Sequence, residues 1–246
     1  MTIKVAILDD YQNVALDSAD WGPLAGRAEV EVFSEYIADP DELIRVLTPF
    51  DVIVGMRERT PFPGSLIKSL PNLKLLITTG PANASFDIQT AKEQGVVVSG
   101  TGGLLNPTSE LTWGLILAVT RNIPLEDQAI RRGGWQVSIG PELGGRTLGI
   151  LGLGGLGQRV AKVAHAFNMN VVAWSPNLTA EKAAEHGATL VSKDELFSES
   201  DIVTIHLVLS DRSRGTVGGS RAWAHATDRV SDQYVARTYR RRGGTC

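Results

Sequence analysis

The chain of 246 residues is long enough for two domains that each have a hydrophobic core. Hydrophobic residues make up 43% and charged residues 21%, a balance that fits a folded globular protein and excludes an intrinsically disordered one. The formal net charge of −3 gives no electrostatic basis for binding nucleic acid or an anionic membrane surface.

The N-terminal residues lead directly into a strand pattern. The run from Met1 to Asp10 lacks the three regions of a signal peptide, and no apolar run in the chain approaches the length that spans a bilayer. The single cysteine, Cys246, predicts neither a disulfide framework nor a cysteine-based metal site. We therefore expect a cytoplasmic protein without a bound metal.

Residues 1 to about 100 alternate short apolar runs with helical patterns. The predicted strands are Val5 to Leu8, Val30 to Phe33, Val52 to Val54, Leu73 to Thr78 and Val96 to Val98. The predicted helices are Leu16 to Leu24, Asp41 to Leu47, Gly64 to Leu70 and Asp87 to Glu93. Strands that alternate with helices form parallel sheets covered on both faces, so this part is predicted to be an α/β domain.

The loop after the fourth predicted strand, from Thr78 to Asp87, lies at a carboxyl end, where open α/β sheets commonly bind ligands. Gly80 and Asn83 tolerate positive φ, and Asp87 can cap the following helix. A ligand-binding loop and a simple turn followed by a cap both fit these residues.

A long apolar helix is predicted from Asn106 to about Arg121, with Asn106 as the N-cap and Pro107 as the first helical residue. Apolar side chains cover much of its circumference. We expect this helix to be buried between domains or between subunits, although packing in a single core would produce the same pattern.

A glycine-rich turn carries the clearest functional signal in the chain. It follows a predicted buried strand, Thr147 to Leu151, and precedes a helical pattern from Gln158 to Phe167. Gly152, Gly154 and Gly157 form the pattern G-x-G-x-x-G. The first permits a tight turn, the second lets backbone N–H groups approach a pyrophosphate, and the third lets helix and strand pack closely. The order of strand, turn and helix predicts a dinucleotide-binding site.

The same strand and helix alternation continues after this turn. The predicted strands are Asn170 to Trp174, Thr189 to Val191 and Ile202 to His206, and the predicted helices are Ala180 to His186 and Lys193 to Phe197. Together with the strand before the glycines, these are the first four strands of a doubly wound parallel sheet. The pattern then stops.

The residue that ends the second of these strands bears on the choice of cofactor. NAD sites commonly place Asp or Glu there to accept hydrogen bonds from the ribose, and this chain has Ser175. A hydroxyl group can bind ribose without repelling a 2′-phosphate. Because no arginine lies from Ser175 to Ala180 to hold that phosphate, we expect NAD, with NADP not excluded.

Residues 1 to about 218 resemble the D-isomer-specific 2-hydroxyacid dehydrogenases, a family that includes phosphoglycerate dehydrogenase and glyoxylate/hydroxypyruvate reductases. The resemblance depends on several motifs taken together. They are Thr79-Gly80 followed by Asn83 and Asp87, Glu110-Leu-Thr, Gly134-Trp135, Gly145-Arg-Thr-Leu-Gly-Ile-Leu-Gly-Leu-Gly154, Ala173-Trp-Ser-Pro-Asn-Leu-Thr179 and Ser200-Asp-Ile-Val-Thr-Ile-His206.

The resemblance implies an oxidoreductase that transfers hydride between a nicotinamide cofactor and the 2-carbon of a 2-hydroxy or 2-keto acid. It implies a flavodoxin-like substrate domain over residues 1–100, an incomplete Rossmann NAD-binding domain over residues 101–218, and a homodimer. The substrate carboxylate would bind backbone N–H groups in the loop from Gly80 to Ala84. The residues implied to contact the substrate are Gly80, Pro81, Ala82 and Asn83, and those implied for the cofactor are Gly152, Gly154, Gly155, Leu156, Gly157, Ser175 and Leu207. Pro81 has no N–H, so one donor is missing from this loop.

The family's catalytic residues cannot be identified in this sequence. They are an arginine in an N-x-x-R-G motif, which orients the keto acid, and a Glu–His pair that transfers the proton. We therefore predict no catalytic residue. His206 is expected to be a packed or hydrogen-bonded histidine, and His225 is assigned no role.

From Gly219 to Cys246 the sequence has no helical or strand period and ends in a basic cluster. A solvated tail and a nucleic-acid-binding arm both fit that composition.

Codons chosen for this tail and read one base later recover the N-x-x-R-G motif, so we hypothesise a frameshift, which the genomic DNA near the Gly218 codon would reveal. A chain of this kind would have an exposed fourth strand, low stability and negligible turnover. A non-catalytic dinucleotide-binding regulatory protein is the alternative.

Overall fold

A computed structural model describes residues 2–208 and 213–217. The segment 219–246 and His225 therefore lie outside the described residues. The chain divides into two compact units at the boundary between Gly103 and Leu104. Within the described residues, each helix is too short or too polar to span a membrane, and no group of three His, Cys, Asp or Glu side chains could hold a metal ion.

The first unit contains a five-stranded parallel sheet. Its strands are β1 (Ile3–Ile7), β2 (Ala28–Val32), β3 (Val52–Gly55), β4 (Leu75–Thr78) and β5 (Val97–Gly100), and its helices are α1 (Pro40–Leu47), α2 (Gly64–Lys68) and α3 (Ile88–Glu93). The strand order β2-β1-β3-β4-β5 is that of flavodoxin-like sheets. The predicted α/β fold and its flavodoxin-like character are confirmed.

The central strands of this sheet supply much of the first core. The side chains of Ile53 and Leu76 on adjacent strands are fully buried, and Leu47 of α1 and Ile67 of α2 pack into the same core. The strands appear in the sequence as short apolar runs rather than as alternating patterns because side chains such as these are buried against the helices.

The second unit contains a four-stranded parallel sheet. Its strands are β6 (Thr147–Leu151), β7 (Asn170–Trp174), β8 (Thr189–Leu190) and β9 (Ile202–Ile205), and its helices are α4 (Asn106–Thr120), α5 (Ile123–Arg131), α6 (Gly155–Ala166), α7 (Ala180–Ala184) and α8 (Lys193–Glu199). The order β8-β7-β6-β9 is that of the first four strands of a Rossmann sheet. The connections after β6 and β8 leave in opposite directions, so the carboxyl end of β6 lies at the topological switch point.

The core of this unit forms between β6 and α6. Leu148 and Ile150 of the strand are fully buried, as are Val160 and Ala164 of the helix. Helix α4 packs against α6, and the Trp113 indole N–H donates to the Val160 carbonyl at 3.3 Å. This packing holds α6, and therefore the glycine turn at its start, against the sheet.

The predicted helix from Leu16 to Leu24 is wrong. Most of this segment forms turns, and only Gly22–Leu24 forms a short 3₁₀ helix. The Asp10 carboxylate accepts hydrogen bonds from the backbone N–H groups of Val14 at 3.2 Å and Ala15 at 2.8 Å. These bonds hold the chain in a turn immediately before Leu16, as expected when an acidic side chain binds nearby backbone groups.

Two further differences concern α4 and α5. The N-cap of α4 is Leu105, so Asn106 is the first helical residue and not the predicted cap. Much of α4 is also exposed within the unit, with only Ser109, Trp113, Ile116 and Thr120 buried. Helix α5 was not predicted, although Pro124 in its first turn and the Arg131–Asp127 ion pair at 2.8 Å are typical helix features.

Candidate functional site

The turn between β6 and α6 begins at a residue that requires glycine. Gly152 has a φ of +99°, and its N–H donates to the Trp174 carbonyl at the end of β7 at 2.8 Å. A Cβ atom here would lie 2.9 Å from the carbonyl of His206, just after β9. The chain can pass between the ends of the two flanking strands only because this residue has no side chain.

Gly157 brings the helix close to the strand. A Cβ atom at this position would lie 2.2 Å from the Gly152 carbonyl oxygen. Such a contact is impossible without moving the backbone, so glycine sets the distance between α6 and β6. Both outer glycines of the motif therefore have structural roles in this turn.

Gly154 is different, because a Cβ atom on it would meet no heavy atom of the described residues within 4 Å. It is exposed and forms the N-cap of α6, and no side chain caps this helix. The first N–H groups of α6 are therefore left for a ligand or water. The start of a 12-residue helix carries a partial positive charge. An open, uncapped and exposed main chain of this kind fits the pyrophosphate of a dinucleotide.

A cavity of about 470 Å³ lies at this edge of the sheet. Its walls come from the glycine turn, the end of β7, α7 and the segment after β9, and they include Gly154, Gln158, Ser175, Asn177, Lys182 and Leu207. Three residues predicted for the cofactor, Gly154, Ser175 and Leu207, thus line one cavity. Gly152 and Gly157 are buried within the turn and do not line the cavity, and Gly155 and Leu156 begin α6. Lys182 and Asn177 were not predicted.

The predicted substrate loop lies in the first unit, directly after β4. The N–H of Gly80 donates to the Thr78 carbonyl at 2.9 Å, and Pro81 has none to offer. Within the described residues, the N–H groups of Ala82, Asn83 and Ala84 have no hydrogen-bond acceptor. Successive N–H groups without acceptors are suited to an anion.

The side chain of Asn83 holds this loop in place. Its amide donates to the Arg57 carbonyl at 2.5 Å and to the Thr78 hydroxyl at 3.1 Å, and its oxygen accepts from the Ser85 N–H at 2.8 Å. Asn83 is buried and all of these bonds lie within the first unit. The geometry therefore gives the side chain of Asn83 a positioning role, while its backbone N–H is available.

Arg57 adds a cation that the sequence analysis did not identify. It follows β3, and its φ of +58° is unusual for a residue with a long side chain. Its guanidinium lies over Gly80, and Nη1 is 3.4 Å from the Thr79 carbonyl. A strained and exposed arginine beside free N–H groups is a feature of ligand sites. The one sign of this role in the sequence was the position of Arg57 shortly after a predicted strand.

His206 is hydrogen-bonded, as expected. Its Nε2 atom lies 2.9 Å from the hydroxyl of Thr204, which is buried. Burial lowers the pKa of His206 below its usual range. The neutral imidazole is therefore favoured. Among the described residues, no histidine forms an ion pair with a carboxylate, so a Glu–His pair is not found there.

Comparisons with known proteins agree with this geometry. The family model described as "D-isomer specific 2-hydroxyacid dehydrogenase, NAD binding domain" matches residues 113–223. Hydroxypyruvate reductase of Thermotoga maritima is 36% identical over 207 residues, which are 83% of this chain and 66% of that protein. D-3-phosphoglycerate dehydrogenase of Archaeoglobus fulgidus is 36% identical over 72% of this chain and 34% of that protein. The chain therefore spans less than two thirds of the length of these relatives.

Solved structures show the same relationship. A phosphoglycerate oxidoreductase from Vibrio cholerae o395 superimposes with a TM-score of 0.83 at 38% identity, covering 91% of this chain and 72% of that one. A further structure, from Ralstonia solanacearum, is described as a D-3-phosphoglycerate dehydrogenase oxidoreductase and has a TM-score of 0.81 at 34% identity, covering 90% and 69%. The turn, the sheet order and these matches agree, and the chain belongs to the D-isomer-specific 2-hydroxyacid dehydrogenase family.

Proposed function

We propose that this chain binds a nicotinamide dinucleotide at the start of α6 and belongs to an enzyme that interconverts a 2-hydroxy acid and a 2-keto acid. The observation that carries the proposal is the uncapped N-terminus of α6 beneath the open space at Gly154. When bound, the cofactor supplies hydride chemistry, which none of the twenty side chains provides.

Each predicted cofactor residue has a defined part in this proposal. The main chain of Gly154, Gly155 and Leu156 binds the pyrophosphate, while Gly152 and Gly157 keep the turn tight enough to present it. Ser175 binds the adenosine ribose through its hydroxyl group. Leu207 provides an apolar wall of the cavity.

The carboxylate of the acid binds the loop after β4. The free N–H groups of Ala82, Asn83 and Ala84 donate hydrogen bonds to it, and the guanidinium of Arg57 adds positive charge over Gly80. Gly80 and Pro81 contribute the shape of the loop rather than donors. Hydroxypyruvate and 3-phosphoglycerate, in the names of the two relatives, are acids with an oxygen function at the 2-carbon, which supports this substrate class.

Binding and turnover test the proposal in sequence. NADH and NADPH fluorescence should change saturably when the purified chain is added, and a panel that includes glyoxylate and hydroxypyruvate should then be assayed for cofactor oxidation. A folded chain that binds neither cofactor at millimolar concentration would refute the proposal.

A non-catalytic dinucleotide-binding regulatory protein is the second candidate. It is favoured by one observation, that no described histidine pairs with a carboxylate. Saturable cofactor binding by a stable chain, with no turnover of any acid in the panel, would favour this candidate. Turnover of one acid would favour the enzyme.

We also propose that the protein is a homodimer. The supporting observation is a set of large apolar side chains that α4, α5 and the segment after α5 expose within their own unit. Leu111 is 63% exposed, Trp135 80% and Ile139 93%, and Leu115, Leu125 and Ile130 belong to the same set. Apolar exposure on this scale marks an interaction surface, and a second copy of the chain is the proposed partner on that surface.

We further propose a cytoplasmic location, which the single cysteine among 246 residues supports.

A further inference from the structure

The cavity beside the glycine turn contains a cation that the dinucleotide motif does not account for. Lys182 belongs to α7 and lines this cavity together with Ser175, Pro176 and Asn177. Lys182 is seven residues beyond Ser175 in the chain, so their spacing alone does not make them neighbours. The path of the chain after β7 brings them to one cavity.

Two local features determine this path. The carbonyl of Ser175 accepts a hydrogen bond from the Leu178 N–H at 3.2 Å, which closes a turn that contains Pro176. Thr179 then caps α7, and its hydroxyl accepts from the Lys182 N–H at 3.3 Å. A closed turn followed at once by a capped helix folds α7 back towards the end of β7.

The charge of the cavity is positive. None of its lining residues among those the structure describes is Asp or Glu, and Lys182 is the one with a permanent charge. No carboxylate of the described residues forms an ion pair with the Lys182 ammonium. The neighbouring Glu181 carboxylate is held by its own backbone N–H and by the Thr179 hydroxyl, and it does not line the cavity. The ammonium group is therefore available to an anionic ligand.

We propose that Lys182 and the Ser175 hydroxyl bind the 2′-phosphate of NADP(H), so that the chain binds NADPH more tightly than NADH. This inference rests on the proposed function, since the phosphate reaches Ser175 only if the dinucleotide lies along the glycine turn. Lysine is a common phosphate ligand and acts as a point charge. Ser175 can donate a hydrogen bond to a phosphate oxygen, and a carboxylate in its place would repel that oxygen.

This assignment changes the cofactor expected from sequence. The expectation of NAD came from the absence of arginine between Ser175 and Ala180. Lys182 lies two residues beyond that window, and the capped α7 returns it to the cavity. A window defined by sequence alone ended too early to include it.

The test is a titration of the purified chain with NADPH and NADH, read by cofactor fluorescence and by calorimetry. The parent chain should bind NADPH more tightly, and Lys182→Ala should weaken NADPH binding about tenfold, as expected for a hydrogen bond to a charged group. NADH binding should change less than about twofold, since the ribose hydroxyl carries no charge. Lys182→Arg should keep most of the NADPH affinity. Adenosine 2′,5′-bisphosphate should displace NADPH from the parent chain better than AMP does. This advantage should be absent with the Lys182→Ala variant.

Two further variants make the result specific. Lys162→Ala removes the same charge from an exposed position on α6 outside this cavity and should leave the ratio of the two affinities unchanged. Ser175→Asp should weaken NADPH binding more than NADH binding, because the added carboxylate repels the 2′-phosphate. Circular dichroism should show the parent fold in every variant, as expected for an exposed Lys182.

Several outcomes would overturn the inference. NADPH binding that is unaffected by Lys182→Ala, or NADPH and NADH binding that weaken equally, would exclude a 2′-phosphate contact while leaving the dinucleotide site intact. A folded parent chain that binds neither cofactor would refute the proposed function as well, so the two failures can be told apart.

Discussion

An alanine Cβ at position 154 would meet open space, whereas one at position 157 would lie 2.2 Å from the Gly152 carbonyl oxygen. Alanine should therefore act differently at Gly154 and Gly157. Gly154→Ala should weaken NADPH and NADH binding at least about tenfold by filling the space for the pyrophosphate, without lowering stability. Gly157→Ala should lower the free energy of unfolding by roughly 2 kcal/mol, because the helix must move away from the strand. Urea denaturation and cofactor titration measure the two effects separately.

The opposite pattern would contradict this division of roles. If Gly154→Ala destabilised the fold as much as Gly157→Ala, the open space at Gly154 would be part of the protein core. If Gly154→Ala bound cofactor as tightly as the parent chain, the pyrophosphate would lie elsewhere.

The pKa of His206 makes a prediction about pH and stability. Burial lowers this pKa in the folded state, whereas the unfolded chain takes up a proton near the usual value of about 6.5. The unfolded state therefore binds protons first as the pH falls. The stability contributed by the neutral ring is fully present above about pH 6.5 and is lost as the pH falls towards the folded pKa.

His206→Gln should reduce this loss, so its free energy of unfolding should fall less between about pH 7 and pH 5 than that of the parent chain. Urea denaturation at several pH values measures it. His165→Gln, at an exposed position on α6, controls for the loss of an imidazole. Equal pH dependence in the parent chain and the His206 variant would contradict the assignment.

The roles of individual residues could be predicted only where the local sequence determines them. The three glycines were identified because spacing within one turn sets their geometry. Arg57 was missed because its surroundings depend on a neighbour distant in the chain, and Lys182 because spacing alone does not show that the chain turns back to the cavity. Arg57 reaches Gly80 because β3 and β4 are adjacent strands, and Lys182 reaches the cavity through the turn after β7.

Among secondary-structure elements, α8 depends on the hydrogen bonds at its start. The Ser192 hydroxyl accepts from the Glu195 N–H at 3.2 Å, and the Glu195 carboxylate accepts from the Ser192 N–H at 2.7 Å. This capping box begins a helix that buries Leu196 and Phe197 against the second sheet. Loss of the capping box should therefore weaken the packing of α8 against the second sheet.

Ser192→Ala should lower the free energy of unfolding by about 1 kcal/mol, the usual effect of losing an N-cap. Ser192→Asp is the matched control, since its carboxylate can accept the same N–H and should retain most of the stability. Urea denaturation of both variants measures the difference. Equal stability of the parent chain and Ser192→Ala would show that the cap contributes little here.

The elements predicted correctly are those whose burial appears directly in the sequence. Strands β6 and β7 were predicted to the residue because buried apolar runs end at the glycine turn and at Ser175. The false helix from Leu16 to Leu24 has helical spacing of apolar residues, but the Asp10 carboxylate binds the backbone of Val14 and Ala15 immediately before that segment. A competing side-chain acceptor of this kind is not visible in periodicity.

At the scale of the whole molecule, the proposed dimer predicts the mass in solution and the surface that forms the dimer. Sedimentation velocity should give twice the mass of one chain. Leu111→Arg together with Leu115→Arg should produce monomers, because both side chains lie on the exposed apolar face of α4. Leu16→Arg, at an exposed position in the first unit, is the control and should remain dimeric. A parent chain that sediments as a monomer at micromolar concentration would contradict the dimer.

The fold of both units followed from the alternation of strands and helices, because parallel neighbours and right-handed connections leave few arrangements for such a chain. The family followed from motifs spread over both units, each weak alone. Substrate identity could not be derived in this way, since the carboxylate contact proposed for the free N–H groups of Ala82, Asn83 and Ala84 is common to every acid. Selection among acids depends on shape and charge that no single motif describes.

The claim that a cofactor's pyrophosphate binds the main chain at the start of α6 can be measured directly. Amide NMR shifts of the isotopically labelled chain, recorded during a titration with NADPH, report on each N–H group separately. The largest shifts should occur at Gly154, Gly155 and Leu156, with smaller ones at Ser175 and Lys182. Saturable binding that leaves the Gly154 to Gly157 amides unchanged and shifts signals elsewhere would contradict the account.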